Sequence, residues 1–216
     1  EVIMFELYTW MTDNGYKARQ MAEESGLEYQ LKPVNIREKE QFKPEFLKIS
    51  PGHKIPAIID HDGPGGATVT LCESGAILRY LGEKADNGLY PVDPVQRVNV
   101  DQWLFYGSAT FTTLAQQYGL FFIRLGEDVP RAKEHYEGVL RDMLDMYDNH
   151  LEDNEYVAGE YSIADIAVYP WVNRYEWHKT DIDRFPEVKR WYQSIGERPG
   201  VVRAYDEAQT INVGNI

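Results

Sequence analysis

The stretch His53-Lys54-Ile55-Pro56-Ala57-Ile58-Ile59-Asp60 runs from a basic pair through an Ile-Pro step and an apolar run to an acid. Proline donates no ladder hydrogen bond, so it fits only the first residue of a strand or an edge. Pro56 to Asp60 therefore reads as a strand that opens on its proline. An X-Pro step is also where a cis peptide is accessible, and the 55–56 bond is expected to be cis. A cis bond would turn the Ile55 N–H and C=O away from the sheet, beside cationic Lys54. Two free backbone groups there could receive a peptide-like, acidic ligand.

Upstream, Val2 to Thr9 is rich in β-branched and aromatic residues and reads as a strand. Thr12-Asp13-Asn14-Gly15 interrupts it, with Thr12 or Asn14 able to cap a helix from Tyr16 to its stop at Gly26. Leu27 to Ile36 reads as a second strand, parallel to the first because one helix separates them. A short helix is expected around Pro44 to Ile49, then a turn at Ser50-Pro51-Gly52. Downstream, Asp62-Gly63-Pro64-Gly65-Gly66 is a hairpin-type loop. Ala67 to Cys72 gives an antiparallel fourth strand, and Ser74 is expected to cap a helix to about Lys84. The order β-α-β-α-β-β-α fills the first 85 residues.

Residues 86–93 hold Asn, Gly and Pro and read as a linker. Beyond them the apolar period becomes helical, from Val95 to about Phe122 and from Val129 to His150. Ser162-Ile163-Ala164-Asp165 is a capping-box variant ahead of an apolar helix to about Trp177. Helices over Phe185–Ile195 and Val201–Gln209 complete the chain. The fold class is thus an α+β domain, residues 1–85, followed by an all-α domain, residues 94–216.

The chain has 216 residues and is 43% hydrophobic, enough to build a core. Its net charge of −13 argues against nucleic acid and anionic membrane surfaces as partners. No apolar run is long enough to span a membrane, and Glu1 to Phe5 lack the features of a signal peptide. One cysteine, Cys72, excludes an internal disulfide and fits a reducing cytoplasm. It reads as a buried, inert thiol. The histidines lack metal-ligand spacing, so no metal site is expected.

Lys54-Ile55-Pro56-Ala57, Glu73-Ser74-Gly75-Ala76-Ile77 and Ser162-Ile163-Ala164-Asp165, set in this order of elements, resemble the cytosolic glutathione transferase superfamily. The resemblance covers nearly the whole chain and implies a thioredoxin-like first domain. It assigns second-substrate binding and dimer contacts to the helical domain. Leu7-Tyr8-Thr9, Thr12-x-Asn14-Gly15, Gln41-Phe42-x-Pro44-Glu45-Phe46-Leu47 and Ile49-Ser50-Pro51 look most like the bacterial Nu class. That likeness implies glutathione-dependent disulfide reduction without a protein cysteine. One departure stands out: the class often shows Thr-Pro-Asn, and this chain has Asp13. A carboxylate there would oppose a thiolate unless it points to solvent. The class also tends to carry Asn where this chain has His53.

On this resemblance Thr12 and Asn14 face the glutathione sulfur as catalytic residues. From the residues alone, both read first as helix caps. Tyr8, a rival sulfur ligand, reads as structural. Glu73 and Ser74 would hold the γ-glutamyl end, the serine aided by a helix N-terminus. Ile55 would pair with the cysteinyl amide, and Gln41, His53 and Lys54 would reach the glycyl carboxylate. Pro56 and Asp165 are expected to be structural. The cosubstrate is glutathione or its disulfide, and the second substrate a disulfide or a small electrophile. Conjugation to an electrophilic carbon and non-catalytic glutathione binding are the alternatives, and a homodimer is implied.

Overall fold

The computed structural model describes residues 4–206. They form two compact units, residues up to 90 with those from 197 onward, and residues 91–196.

In the first unit a four-stranded sheet runs in the order β2-β1-β3-β4, with β1 Phe5–Thr9, β2 Tyr29–Pro33, β3 Ala57–Asp60 and β4 Val69–Cys72. β1 pairs with β2 in parallel and with β3 antiparallel, and β3 pairs antiparallel with β4. Phe5, Leu7 and Ile58 are fully buried on one face, and Ala57 is fully buried on the other, where it packs with Val34 and Phe46. Helix α1 spans Asp13–Ser25, α2 Pro44–Leu47 and α3 Ser74–Ala85. α1 ends on Gly26 in the left-handed conformation, as its sequence requires. The two inner helices bury Ala18, Met21, Ile77, Leu78 and Leu81.

At the far end of the sheet Asp60 is fully buried. Burial alone would raise its carboxyl. Hydrogen bonds from Lys84 Nζ and Tyr80 Oη, each 2.6 Å, and from Asp62 N–H at 2.9 Å hold it below its usual range.

The last described helix, α9 (Pro199–Ala204), packs on α1 within this first unit. Arg198 pairs with Glu24 at 2.9 Å and Arg203 with Glu23 at 2.8 Å. This differs from the sequence division, which kept the chain from 94 onward in one helical domain. Residues 207–209 of the expected terminal helix lie outside the described residues.

The second unit is all-helical, with α4 Pro94–Phe105, α5 Thr112–Gly119, α6 Pro130–Leu151, α7 Ile163–Val172 and α8 Pro186–Gly196. α4 and α5 are joined by a π-helical turn, Tyr106–Phe111, and a second follows at Leu120–Arg124. Gly107 lets this rod approach α7 closely; a Cβ there would sit 2.8 Å from Val168.

All ten residues of α7 are buried. Its N-terminus carries the expected capping box, Ser162 and Asp165 satisfying each other's backbone donors. Asp165 does more than cap. Its carboxylate also accepts from Val157 N–H at 3.0 Å and from Trp191 Nε1–H at 2.8 Å. Burial pushes this carboxyl up to about 6, and the donors around it pull the other way.

Several boundaries differ from the sequence reading. α1 begins at Asp13 rather than Tyr16, because Thr12 is the cap. β2 is limited to the five residues that pair with β1. Cys72 is half-buried rather than buried, packed against the cluster of Val34, Phe46 and Ala57.

Candidate functional site

The register of the sheet delivers four chain segments to one end. Thr9 pairs with Pro33, Tyr8 with Ala57, and Ala57 with Cys72. The exits of β1, β2 and β4 and the entry to β3 therefore lie together. Thr12 and Asn14 follow β1, and Gln41, His53 and Lys54 follow β2. Ile55-Pro56 leads into β3, and Glu73-Ser74 follows β4. α1 and α3 both start here, so two helix N-termini direct N–H groups and positive dipole ends at this edge.

Thr12 is the N-cap of α1, its Oγ1 accepting from Gly15 N–H at 3.1 Å. Accepting that bond leaves the hydroxyl proton free to donate. The Asn14 Oδ1 is buried and has no partner among the described residues. A half-turn of the side-chain amide exchanges this oxygen with the NH2 group, so the same spot can present a donor to an anion.

Gly15 is required by crowding. A Cβ at 15 would lie 2.1 Å from Trp10 O, 2.7 Å from Thr9 Oγ1 and 3.0 Å from Thr12 Oγ1. Gly15→Ala is expected to displace the start of α1 and cost about 1–3 kcal/mol in urea unfolding.

The sequence reading has Asp13 oppose a thiolate unless it points to solvent. It does not point to solvent; it is 9% exposed and its charge acts on Lys17, one turn along. Lys17 is fully buried. Burial lowers its amine to about 7, and Asp13 pulls it back up. The carboxylate next to Thr12 therefore faces an amine of its own helix that carries only part of a positive charge at neutral pH.

Tyr8 is not free to serve a sulfur. Its hydroxyl donates to the Glu6 carboxylate, and burial with that bond raises it to about 12. Its ring packs against Phe46 and the cluster that Phe46 forms with Val34 and Ala57.

The Ile55–Pro56 bond is cis. The Ile55 N–H and C=O take no part in the turn and loop hydrogen bonds among the described residues. Ser50, read in the sequence only as part of a turn, fixes the neighbouring backbone. Its buried Oγ donates to Lys54 O at 2.8 Å and accepts from Lys54 N–H at 3.4 Å. His53 adopts φ 46° and lays its ring against Phe42 at 4.8 Å. The Gln41 Oε1 is buried without a partner among the described residues.

Ser74 was expected to cap α3. It is instead the first helical residue, and the cap position belongs to Glu73, whose side chain makes no capping bond. Glu73 holds φ 73°, ψ 114°, an unfavourable conformation for a non-glycine residue. Such strain costs about 1–3 kcal/mol and concentrates where a ligand is held. Among the described residues no cluster of three His, Cys, Asp or Glu side chains could hold a metal ion.

A thioredoxin-like unit with a cis-proline is thus followed along the chain by an all-helical unit. Residues 4–83 match the family model for the glutathione S-transferase N-terminal domain, and 111–199 that for the C-terminal domain. The chain belongs to the glutathione S-transferase family. Disulfide-bond oxidoreductase YfcG of Escherichia coli is 39% identical over 209 residues, covering 95% of this chain and 96% of that one. A glutathione transferase from Pseudomonas putida, solved with one glutathione disulfide per subunit, superposes with a TM-score of 0.89 at 38% identity. That match covers 94% of this chain and 91% of the other. A family member from Pseudomonas fluorescens pf-5, solved with two glutathiones, gives 0.88 at 37% identity, covering 93% and 92%.

Proposed function

We propose that the protein is a glutathione-dependent disulfide-bond reductase of the Nu type, using glutathione and no cysteine of its own. The carrying observation is the set of unengaged polar groups at the sheet end: the Asn14 and Gln41 oxygens and the Ile55 backbone. Turned by half a turn, the Asn14 and Gln41 amides present NH2 donors to a thiolate and a carboxylate, and the Ile55 backbone suits an amide, which are the groups of one tripeptide. Thr12 and Asn14 hold the sulfur as thiolate. Ile55 pairs with the cysteinyl amide, Glu73 and Ser74 take the γ-glutamyl end, and Gln41, His53 and Lys54 the glycyl carboxylate. Pro56 keeps Ile55 in place.

The bound thiolate attacks one sulfur of a disulfide RSSR, forming GS–SR and releasing RS⁻. A second glutathione thiolate attacks GS–SR, releasing the other RS⁻ and forming glutathione disulfide. Two glutathiones supply the two electrons. The protein contributes position and thiolate stabilisation. The YfcG relative and the bound states of the two Pseudomonas relatives support this order of events. A glutathione-driven reaction needs a reducing compartment, and we place the protein in the cytoplasm.

The test compares glutathione-dependent reduction of hydroxyethyl disulfide with conjugation of chlorodinitrobenzene. Reduction is expected to dominate. Conjugation alone would replace the reading with a transferase, and neither activity would leave a glutathione-binding protein.

We also infer a homodimer through α4. Val92, Val95, Val98 and Phe105 are 73%, 79%, 70% and 62% exposed, with the last three spaced to share one helix face. Apolar surface of this kind on one face calls for a partner. Val98→Lys together with Phe105→Glu should halve the mass seen by sedimentation equilibrium. An unchanged mass would remove α4 from the interface.

A further inference from the structure

The helical unit holds a second recess, apart from the residues assigned to glutathione. It lies between α6 and the segment that follows α7, and its volume is about 140 Å³. The floor is apolar: Leu140, Leu144, Phe185 and the rings of Tyr118 and His178. The rim carries Arg141, Lys179 and Arg184 against Glu137 and Asp181. Three cations to two acids is notable in a chain of net charge −13.

The acids are not the ready partners of these cations. Asp181 accepts from Asp183 N–H at 3.2 Å. Arg184 makes no side-chain hydrogen bond or ion pair among the described residues, and Arg141 reaches only Asp142, at 4.0 Å. Lys179 is held in the left-handed conformation, φ 55°, with its ammonium 5.9 Å from the Phe122 ring centre.

His178 sits in the floor. It is 3% exposed and its Nε2 has no partner among the described residues. The Tyr118 hydroxyl fixes its backbone by donating to His178 O at 2.6 Å, and the Trp171 ring lies parallel to the imidazole. Burial, with Arg174 nearby, lowers the ring to about 4, so at neutral pH it is an uncharged imidazole. A buried polar atom left unpaired costs free energy unless a ligand or water meets it.

We propose that this recess binds a small aromatic carboxylate, its ring on the Leu140–Leu144–Phe185 floor and its carboxylate at the Arg141 and Arg184 rim. The volume is enough for one ring, since a cavity of ~150 Å³ takes benzene, and the polar part of the lining is the charged rim that would meet the carboxylate. The chemistry fits as well: arginine binds carboxylates through paired N–H bonds, and the floor rewards an apolar body. A fully hydrated anion such as phosphate would gain only the rim. The His178 ring forms part of this floor and so reports its occupancy.

The test is a benzoate titration of the glutathione-saturated protein, read at the His178 ring carbon by NMR of ¹³C-histidine protein. A saturable shift is expected. Arg184→Gln and Arg141→Gln should each weaken it about tenfold, the loss of one charge-assisted hydrogen-bonded partner. Benzyl alcohol, which has the ring without the charge, should bind more weakly, and inorganic phosphate should leave His178 unmoved. The proposal is overturned if benzoate gives no saturable shift, or if the double arginine variant binds it unchanged. It is equally overturned if phosphate or benzyl alcohol matches benzoate, or if the shift appears only without glutathione.

Discussion

Asn14→Ala is expected to lower the turnover of disulfide reduction about 10- to 100-fold, because a hydrogen bond to a charged group contributes ~1.5–3 kcal/mol. The free thiol titrates near ~8.5, so bound glutathione must be shifted down to be thiolate at neutral pH. Asn14 follows the Thr12 cap and has an unengaged amide oxygen inside the protein. If Asn14 holds the sulfur as proposed, removing the amide raises the thiol pKa. The deficit should therefore be largest on the acid side of the pH–rate profile and shrink as pH rises. A deficit that is flat with pH would mean that Asn14 positions glutathione without stabilising its sulfur. Thr12→Ala is less clean, since it also deletes the cap of α1 and costs ~1 kcal/mol of stability. Tyr8→Phe should change turnover little, because the Tyr8 proton is already committed to Glu6. If Tyr8→Phe proved the more damaging change, Tyr8 would be the sulfur ligand.

Asp165→Ala is expected to destabilise the protein by about 3–5 kcal/mol, with no direct effect on glutathione chemistry. The substitution leaves the Val157 and Ser162 N–H groups and the Trp191 Nε1–H without their acceptor. Each buried donor so abandoned costs ~1–3 kcal/mol, partly relieved by relaxation. These groups come from the loop before α7 and from α8, so one carboxylate ties three segments together. Urea unfolding measures the loss. Asp165→Asn should recover part of it, because its carbonyl oxygen still accepts one or two of the bonds. A wild-type midpoint in Asp165→Ala would mean that the box is ornamental.

Much of this was legible in the residues because it is local. Ile55-Pro56 announces a strand entry wherever it occurs, and Ser162-Ile163-Ala164-Asp165 closes its capping box within four residues. The change from alternating to helical apolar spacing near residue 95 separates sheet from helices without tertiary information. What was illegible depends on contacts distant in sequence. Asp13 turns inward because Lys17 is buried one turn away, which spacing alone does not reveal. Ser74 looks like a cap, yet the register of β4 with β3 ends at Cys72 and hands the cap position to Glu73. The assignment of α9 to the first unit rests on ion pairs to Glu23 and Glu24, more than 170 residues earlier in the chain. Ser50 serves Lys54 by a side-chain bond that a turn signature cannot specify.

The two buried amide oxygens of Asn14 and Gln41 have a consequence for how the protein is measured. In the ligand-free state both have already lost water without gaining a partner, so part of the desolvation cost of binding falls on folding instead. Folding and glutathione are then thermodynamically linked. At a ligand concentration one hundred times Kd, the native state gains ~2.7 kcal/mol. Protein purified without glutathione would be the least stable form of this molecule. Its melting temperature should climb with each tenfold rise in glutathione, and variants that seem unfoldable in plain buffer could be rescued by the cosubstrate.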